Sequence, residues 1–189
     1  NGEAKKPVDA VHIVKEATLT DLNVQIRGDV KNKGEVVQRG FPQILSADLP
    51  AKFEDGSGRQ ELAEQIVRRD NPLTARVIVN RVWGMLFGKP IVRTPSNFGT
   101  LGDSPTHPKL LDDLSVRFME NGWSIKWLCR EIILSSTWQQ RSDLKEAGQR
   151  ADPSNRLLWR MNRRRLDVES WRDTILFSAG RLNRTVGGK

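Results

Sequence analysis

The stretch Leu73-Thr74-Ala75-Arg76-Val77-Ile78-Val79-Asn80-Arg81-Val82-Trp83-Gly84-Met85-Leu86-Phe87 decides the fold. Its apolar residues recur at Leu73, Val77, Val82, Trp83, Leu86 and Phe87, the three-to-four spacing of one helix face. Val77-Ile78-Val79 is rich in β-branched residues, but the window is longer than a typical strand, so the reading is helix. Asn71-Pro72 breaks the chain before it, Thr74 is placed to cap it and Gly88 to end it.

Further helices are predicted on both sides. Upstream, Ser57 with Gln60 has the form of a capping box, followed by a stripe of Leu62, Ile66 and Val67. Downstream, a loop over 88–107 is marked by Gly88, Pro90, Pro95, Gly99, Gly102 and Pro105. Pro108 suits the first turn of a helix that runs to Asn121 and closes at Gly122. Ser124 caps the next helix, with Ile125, Leu128, Ile132, Ile133 and Ser136 on its face. The piece from Arg156 to Arg164 reads as a short helix or as extended chain. Asp167 caps a last helix bearing Val168, Trp171, Ile175 and Leu176, with Gly180 after it. Residues 8–45 read instead as extended: an apolar run at Val8, Val11, Ile13 and Val14, a period-two stretch at 22–26, a turn at 31–35 and a strand at 35–38. The expected class is therefore mainly α, a multi-helix bundle-like domain over 57–189. An extended segment with a small N-terminal β hairpin or partial sheet, and a linker, occupies 1–56.

The net charge of +8 is unevenly spread. Ten basic and four acidic residues fall in 150–189, leaving only +2 for the rest. Twenty of the 31 basic residues are arginine, whose planar fork pairs with carboxylates and phosphates and stacks on rings. The basic patch Arg160, Arg163, Arg164 and Arg165, beside Trp159, invites a nucleic-acid reading. That reading is disfavoured: no nucleic-acid motif accompanies it, and Asp167, Glu169 and Asp173 lie close enough in sequence to pair with the arginines. The single Cys129 excludes an intramolecular disulfide, a zinc-type cysteine cluster and a haem attachment motif, and sits among apolar residues as an inert thiol would. No apolar run reaches the length of a membrane span. His12 and His107 are far apart and Asp112-Asp113 reads as solvated, so no metal site is indicated. Of the six tryptophans, all from Trp83 onward, Trp83, Trp127 and Trp171 stand at helical core spacings, whereas Trp123 and Trp138 lie near helix ends.

The most site-like stretch is the long Gly- and Pro-rich loop 93–107. It holds Arg93, Thr94, Asn97, Asp103, Thr106 and His107. Asp103 and His107 can form an oriented acid–base pair, or cap a turn and a helix. Arg76 and Asn80, four apart on one helix face, either line a pocket or tie the loop to the core. With Arg93 they form a set able to hold a carboxylate or a sugar acid. The binding candidates are therefore Arg76, Asn80, Arg93, Asn97, Asp103 and His107; no catalytic residue is assigned, and whether the chain is an enzyme stays open.

One resemblance joins these motifs. Asn71-Pro72-Leu73-Thr74-Ala75-Arg76, Asn80-Arg81-Val82-Trp83, Phe87-Gly88, Arg93-Thr94-Pro95-Ser96-Asn97-Phe98-Gly99, Pro105-Thr106-His107-Pro108, Gly122-Trp123-Ser124, Leu134-Ser135-Ser136-Thr137-Trp138 and Arg164-Arg165-Leu166-Asp167-Val168-Glu169 follow one another in order. Together they resemble the planctomycete PSD1 domain, DUF1553. The resemblance implies a domain of unknown biochemical function within a larger, extracytoplasmic protein. It also implies an upstream DUF1549-like partner domain and, in some members, a cytochrome c-like one, the haem belonging to that partner, so that no cofactor is expected in this chain. The expected role is a helical accessory or interaction module. The alternatives are a glycan- or anion-binding module, or part of a polysaccharide-processing enzyme with its site near 93–107.

Overall fold

The computed structural model describes residues 13–45 and 52–185. Val8, Val11, His12 and Pro50 lie outside them. Among the described residues there are seven α-helices and one two-stranded antiparallel sheet. The chain is therefore mainly α with a small N-terminal hairpin. It divides into two compact units, Asn1–Thr74 and Ala75–Lys189.

In the first unit β1 (Leu22–Gln25) pairs with β2 (Lys33–Val37), Leu22 opposite Val37 and Gln25 opposite Lys33, with an irregularity between Asn23 and Gln25. The connection turns through Arg27 and Gly28, both at positive φ. Arg39 ties this unit together, 3.1 Å from Asp21 and donating to the carbonyl of Gly56 at 2.7 Å. The helix α1 (Arg59–Val67) starts at Gly58 without a side-chain cap. The predicted Ser57/Gln60 capping box does not form, because the Ser57 hydroxyl donates to Glu16. The Glu61 carboxylate instead reaches back to the backbone N–H groups of Glu54 and Asp55. Leu62, Ile66 and Val67 are exposed.

The long helix α2 (Thr74–Phe87) confirms the reading of the opening stretch. Its start is capped by Asn71, whose Oδ1 accepts from the N–H groups of Leu73 and Thr74, while Thr74 spends its hydroxyl on the Ile66 carbonyl. Its end is closed by Gly88 at φ 78°, a left-handed position that suits glycine. The helices α3 (Pro108–Glu120) and α4 (Ile125–Ile133) start where predicted, with Pro108 in the first turn of α3 and the Ser124 hydroxyl accepting from the Trp127 N–H, but α4 ends before Ser136, which was read on its face. Two short helices were not anticipated. In α5 (Ser136–Gln139) Ser135 repeats the Ser124 cap, and α6 (Glu146–Ala151) follows. The stretch 156–164, read as a short helix or as extended chain, forms no helix and is irregular. Asp167 caps α7 (Val168–Ser178) through the Ser170 N–H. Ser170's hydroxyl and N–H hold the Asp167 carboxyl below its usual range.

The core of the second unit is made by α2 (Ala75, Val79, Val82, Trp83, Phe87), the turn at Ile91 and Val92, α3 (Leu111, Leu114, Phe118) and α4 (Leu128, Ile132). Trp123 and Trp138 also serve it, Trp123 edge-on to Phe118 at 5.4 Å and Trp138 edge-on to Phe87 at 5.3 Å. Arg117 clamps α3 to α4, bonding Glu131, pairing with Asp113 and lying over the Trp127 ring at 5.3 Å. Asp112 and Asp113 are thus not merely solvated; each holds an arginine, Arg76 and Arg117. Trp171 corrects the sequence reading: its periodicity marks a helix face, but among the described residues Val168, Trp171 and Ile175 on that face stay exposed, Trp171 at 59%.

Candidate functional cleft

Asn80 sets the back of the site. It is fully buried on α2, and its amide does the work of a backbone ladder. Nδ2 donates to the Val92 carbonyl at 3.0 Å, and Oδ1 accepts the Val92 N–H at 2.8 Å. The neighbouring Ile91 carbonyl takes the Thr106 N–H at 3.0 Å and the Thr106 hydroxyl at 3.3 Å. These bonds pin the 91–92 turn between α2 and the start of α3. Because the backbone is held on both sides, Arg93 and His107 leave fixed points.

Beyond Arg93 the loop closes on itself. The Thr94 hydroxyl donates to the Asn97 carbonyl and accepts the Asp103 N–H, and the Asn97 side chain accepts from Gly99. Asn97 and Asp103 are therefore spent inside the loop or on Arg93, whose Nε lies 3.8 Å from Asp103 Oδ2. Asp103 faces Arg93 and His107 faces Thr106, so the envisaged Asp103–His107 acid–base pair is not the arrangement found. Arg76 pairs with Asp112 at 2.7 Å and does not line the cleft.

The second wall comes from residues 152–162. Asp152 organises it, accepting the Leu157 N–H at 2.7 Å. Burial raises the Asp152 pKa, but the backbone N–H groups of Leu157 and Arg156, Ser154 and nearby Lys89 outweigh it, so the carboxyl sits below its ordinary value. Asn155 is buried at φ 51° and donates to the Arg160 carbonyl and to Asn162. Leu158 stands at φ 56°, a conformation costly to a side chain with a γ-branch. Lys89 crosses to the Ser154 carbonyl.

Between the walls lies a cleft of about 250 Å³. Trp83, Pro90, Ile91 and Leu158 give it apolar sides, and Lys89, Arg93, Arg156 and His107 give it cationic and imidazole groups. Among the described residues no carboxylate lines it. Of the six candidates read from sequence, the cleft gathers two, Arg93 and His107, with Asn80 supporting it from behind. Lys89, Arg156 and Leu158 were missed as site residues. The turn residues Asp152-Pro153-Ser154 were a signal, but nothing local shows that this turn folds against Lys89, 65 positions away.

The basic patch divides. Arg164 donates to the carbonyls of Met85 and Leu86, and Asn162 to that of Phe87 at 2.9 Å. Together they satisfy the last turn of α2, where a cation also complements the helix dipole. Arg160 lies over the Trp159 ring at 5.1 Å, and its buried Nε has no hydrogen-bond partner among the described residues. Trp159 in turn packs on Gly148, where any Cβ would collide with the indole. Arg163 and Arg165 are exposed. Among the described residues no ion pair links these arginines to Asp167, Glu169 or Asp173, and Asp173 pairs with Arg172. The expected internal pairing is thus replaced by carbonyl capping and ring stacking.

Among the described residues no group of His, Cys, Asp and Glu is placed to hold a metal ion, and no helix is long and apolar enough to cross a membrane. Residues 58–189 match the model of PSD1, described as a protein of unknown function (DUF1553). No curated protein and no solved structure matches the chain significantly.

Proposed function

This chain belongs to the PSD1 (DUF1553) family, whose description assigns no activity, and from its own geometry we propose a binding module that captures a small anionic ligand in the cleft. One observation carries this: a cleft with apolar sides, three cationic side chains and no lining carboxylate. Guanidinium and ammonium groups around a partly dry cavity whose lining holds no carboxylate favour an anion. The left-handed Leu158, held in place by the surrounding turn, adds the kind of local strain that collects at ligand sites. Without a carboxylate pair in the lining, binding is better supported than glycoside hydrolysis.

The test is calorimetric or NMR titration with acetate and inorganic phosphate at fixed ionic strength. Millimolar binding is expected, and the double variant Arg93→Gln/Arg156→Gln is expected to weaken it about tenfold or more. Neither side chain belongs to the core, so melting temperature should hold. Unchanged affinity in the double variant overturns the reading.

A second reading, the accessory role within a larger extracytoplasmic protein, is favoured by α7. Val168, Trp171 and Ile175 recur at i, i+3 and i+7 and are exposed, the pattern of a helix that lies in a partner's groove. Phe177, under Arg184, is exposed as well, so apolar side chains flank the helix on two sides, which suits a protein groove better than a flat bilayer. Arg163, Arg165 and Arg181 take no ion pair among the described residues, and an acidic groove rim would complement them. The occupant proposed is the DUF1549-like domain of the same polypeptide. Mixing the two domains should give salt-sensitive association that Trp171→Ser/Ile175→Ser weakens at least tenfold. If the wild-type pair shows none at low salt, this reading falls.

A further inference from the structure

Resting on the anion-binding reading above, we infer that the cleft selects hydroxylated carboxylates of single-ring size, the class of the sugar acids, and that His107 reads the hydroxyl.

The selectivity starts from the Thr106 side chain. Its hydroxyl lies 3.3 Å from the Ile91 carbonyl and 2.9 Å from His107 Nδ1. That contact engages Nδ1 in either tautomer, because a hydroxyl both donates and accepts. Nε2 is then the nitrogen His107 has for a ligand, an acceptor in one tautomer and a donor in the other. His107 is itself part of the cleft lining. A bare carboxylate offers Nε2 lone pairs alone, which match only its donor form. A ligand hydroxyl offers a hydrogen and lone pairs, and matches both forms.

The anionic end has a different partner. Arg93 turns its Nε side toward Asp103, which leaves its two terminal nitrogens for a forked bond, and Arg156 stands in the same lining. Forked donors match the planar carboxylate. A phosphate cradle built on the start of α3 is disfavoured, because Pro108 removes the first backbone donor there. Lys89 is engaged with the Ser154 carbonyl, holding the wall. The apolar sides, Trp83, Ile91 and Leu158, suit the C–H face of a saturated ring. The volume of about 250 Å³ lies below the roughly 300–1,000 Å³ of drug-sized pockets, so one ring fits and an extended chain does not.

The experiment compares D-galacturonate, acetate, inorganic phosphate and D-galactose by ¹⁵N chemical-shift titration near neutral pH at constant ionic strength. Galacturonate should bind about tenfold more tightly than acetate or phosphate, and galactose not measurably. His107→Phe should bring galacturonate down to the acetate level and leave acetate unchanged. His107→Gln, which restores a side-chain acceptor, should recover part of the difference. Equal binding of all three anions, or galacturonate affinity unmoved in His107→Phe with the fold intact, overturns this inference while the anion reading stands. Failure of every anion to bind overturns both.

Discussion

Asn80→Asp is expected to leave the second unit unfolded or barely folded. Asn80 is fully buried, and both ends of its amide are used by one partner, the backbone of Val92. Aspartate keeps the acceptor and deletes the donor. Ionised, it would be a buried charge facing a carbonyl oxygen; protonated, it must pull its pKa far from its ordinary value. Either route costs about 3–5 kcal/mol. Asn80→Leu avoids the charge but strands a buried N–H and a buried C=O, at about 1–3 kcal/mol each. A domain stable by about 5–15 kcal/mol cannot absorb such losses unnoticed. Urea unfolding followed by circular dichroism and tryptophan emission would measure them. A loss under about 1 kcal/mol in Asn80→Leu would show that the Asn80–Val92 clamp does not hold the unit.

Phe87→Ala should be comparably severe for a different reason. Phe87 is fully buried, stacked on Trp83 at 4.3 Å and met edge-on by Trp138. Truncation removes the ring and leaves a cavity between two indoles, at a cost of about 3–5 kcal/mol. The damage should spread to the cleft, because Trp83 both supports that ring stack and lines the ligand space. Phe87→Leu, which refills most of the volume, should cost clearly less. If both variants lower the urea midpoint equally, the stack is not what stabilises this end of α2.

The helix ends were largely legible because they are local. Pro108, the Ser124 and Asp167 caps, and the glycines at 88 and 122 each act within a few residues, so the sequence alone contains both partners of the interaction. Where the reading failed locally, a competing partner was the reason: Ser57 was taken by Glu16, 41 positions away, and Thr74 by the Ile66 carbonyl, leaving the cap to Asn71. The tryptophans show the other limit. Periodicity marked Trp83 and Trp171 alike, yet one is buried in the core and the other is exposed, since a repeat names a face without naming what covers it.

The arginines make the same point for function. Composition showed a basic C-terminal part, and the sequence offered nearby carboxylates as its partners. The fold uses Arg164 to close the end of α2, stacks Arg160 on Trp159 and leaves Arg163 and Arg165 at the surface. In the loop of candidates it turns Asn97 inward, sets Asp103 against Arg93, and sends Arg93 and His107 to a cleft whose far wall begins at Ser154. The helical class, most helix boundaries and the family motifs were determined by the sequence itself, through interactions a few residues long. The cleft, and the separation of clamps from binding groups within it, was decided only by tertiary structure, because its two walls come from segments that no local signal connects, with Lys89 and Ser154 65 positions apart.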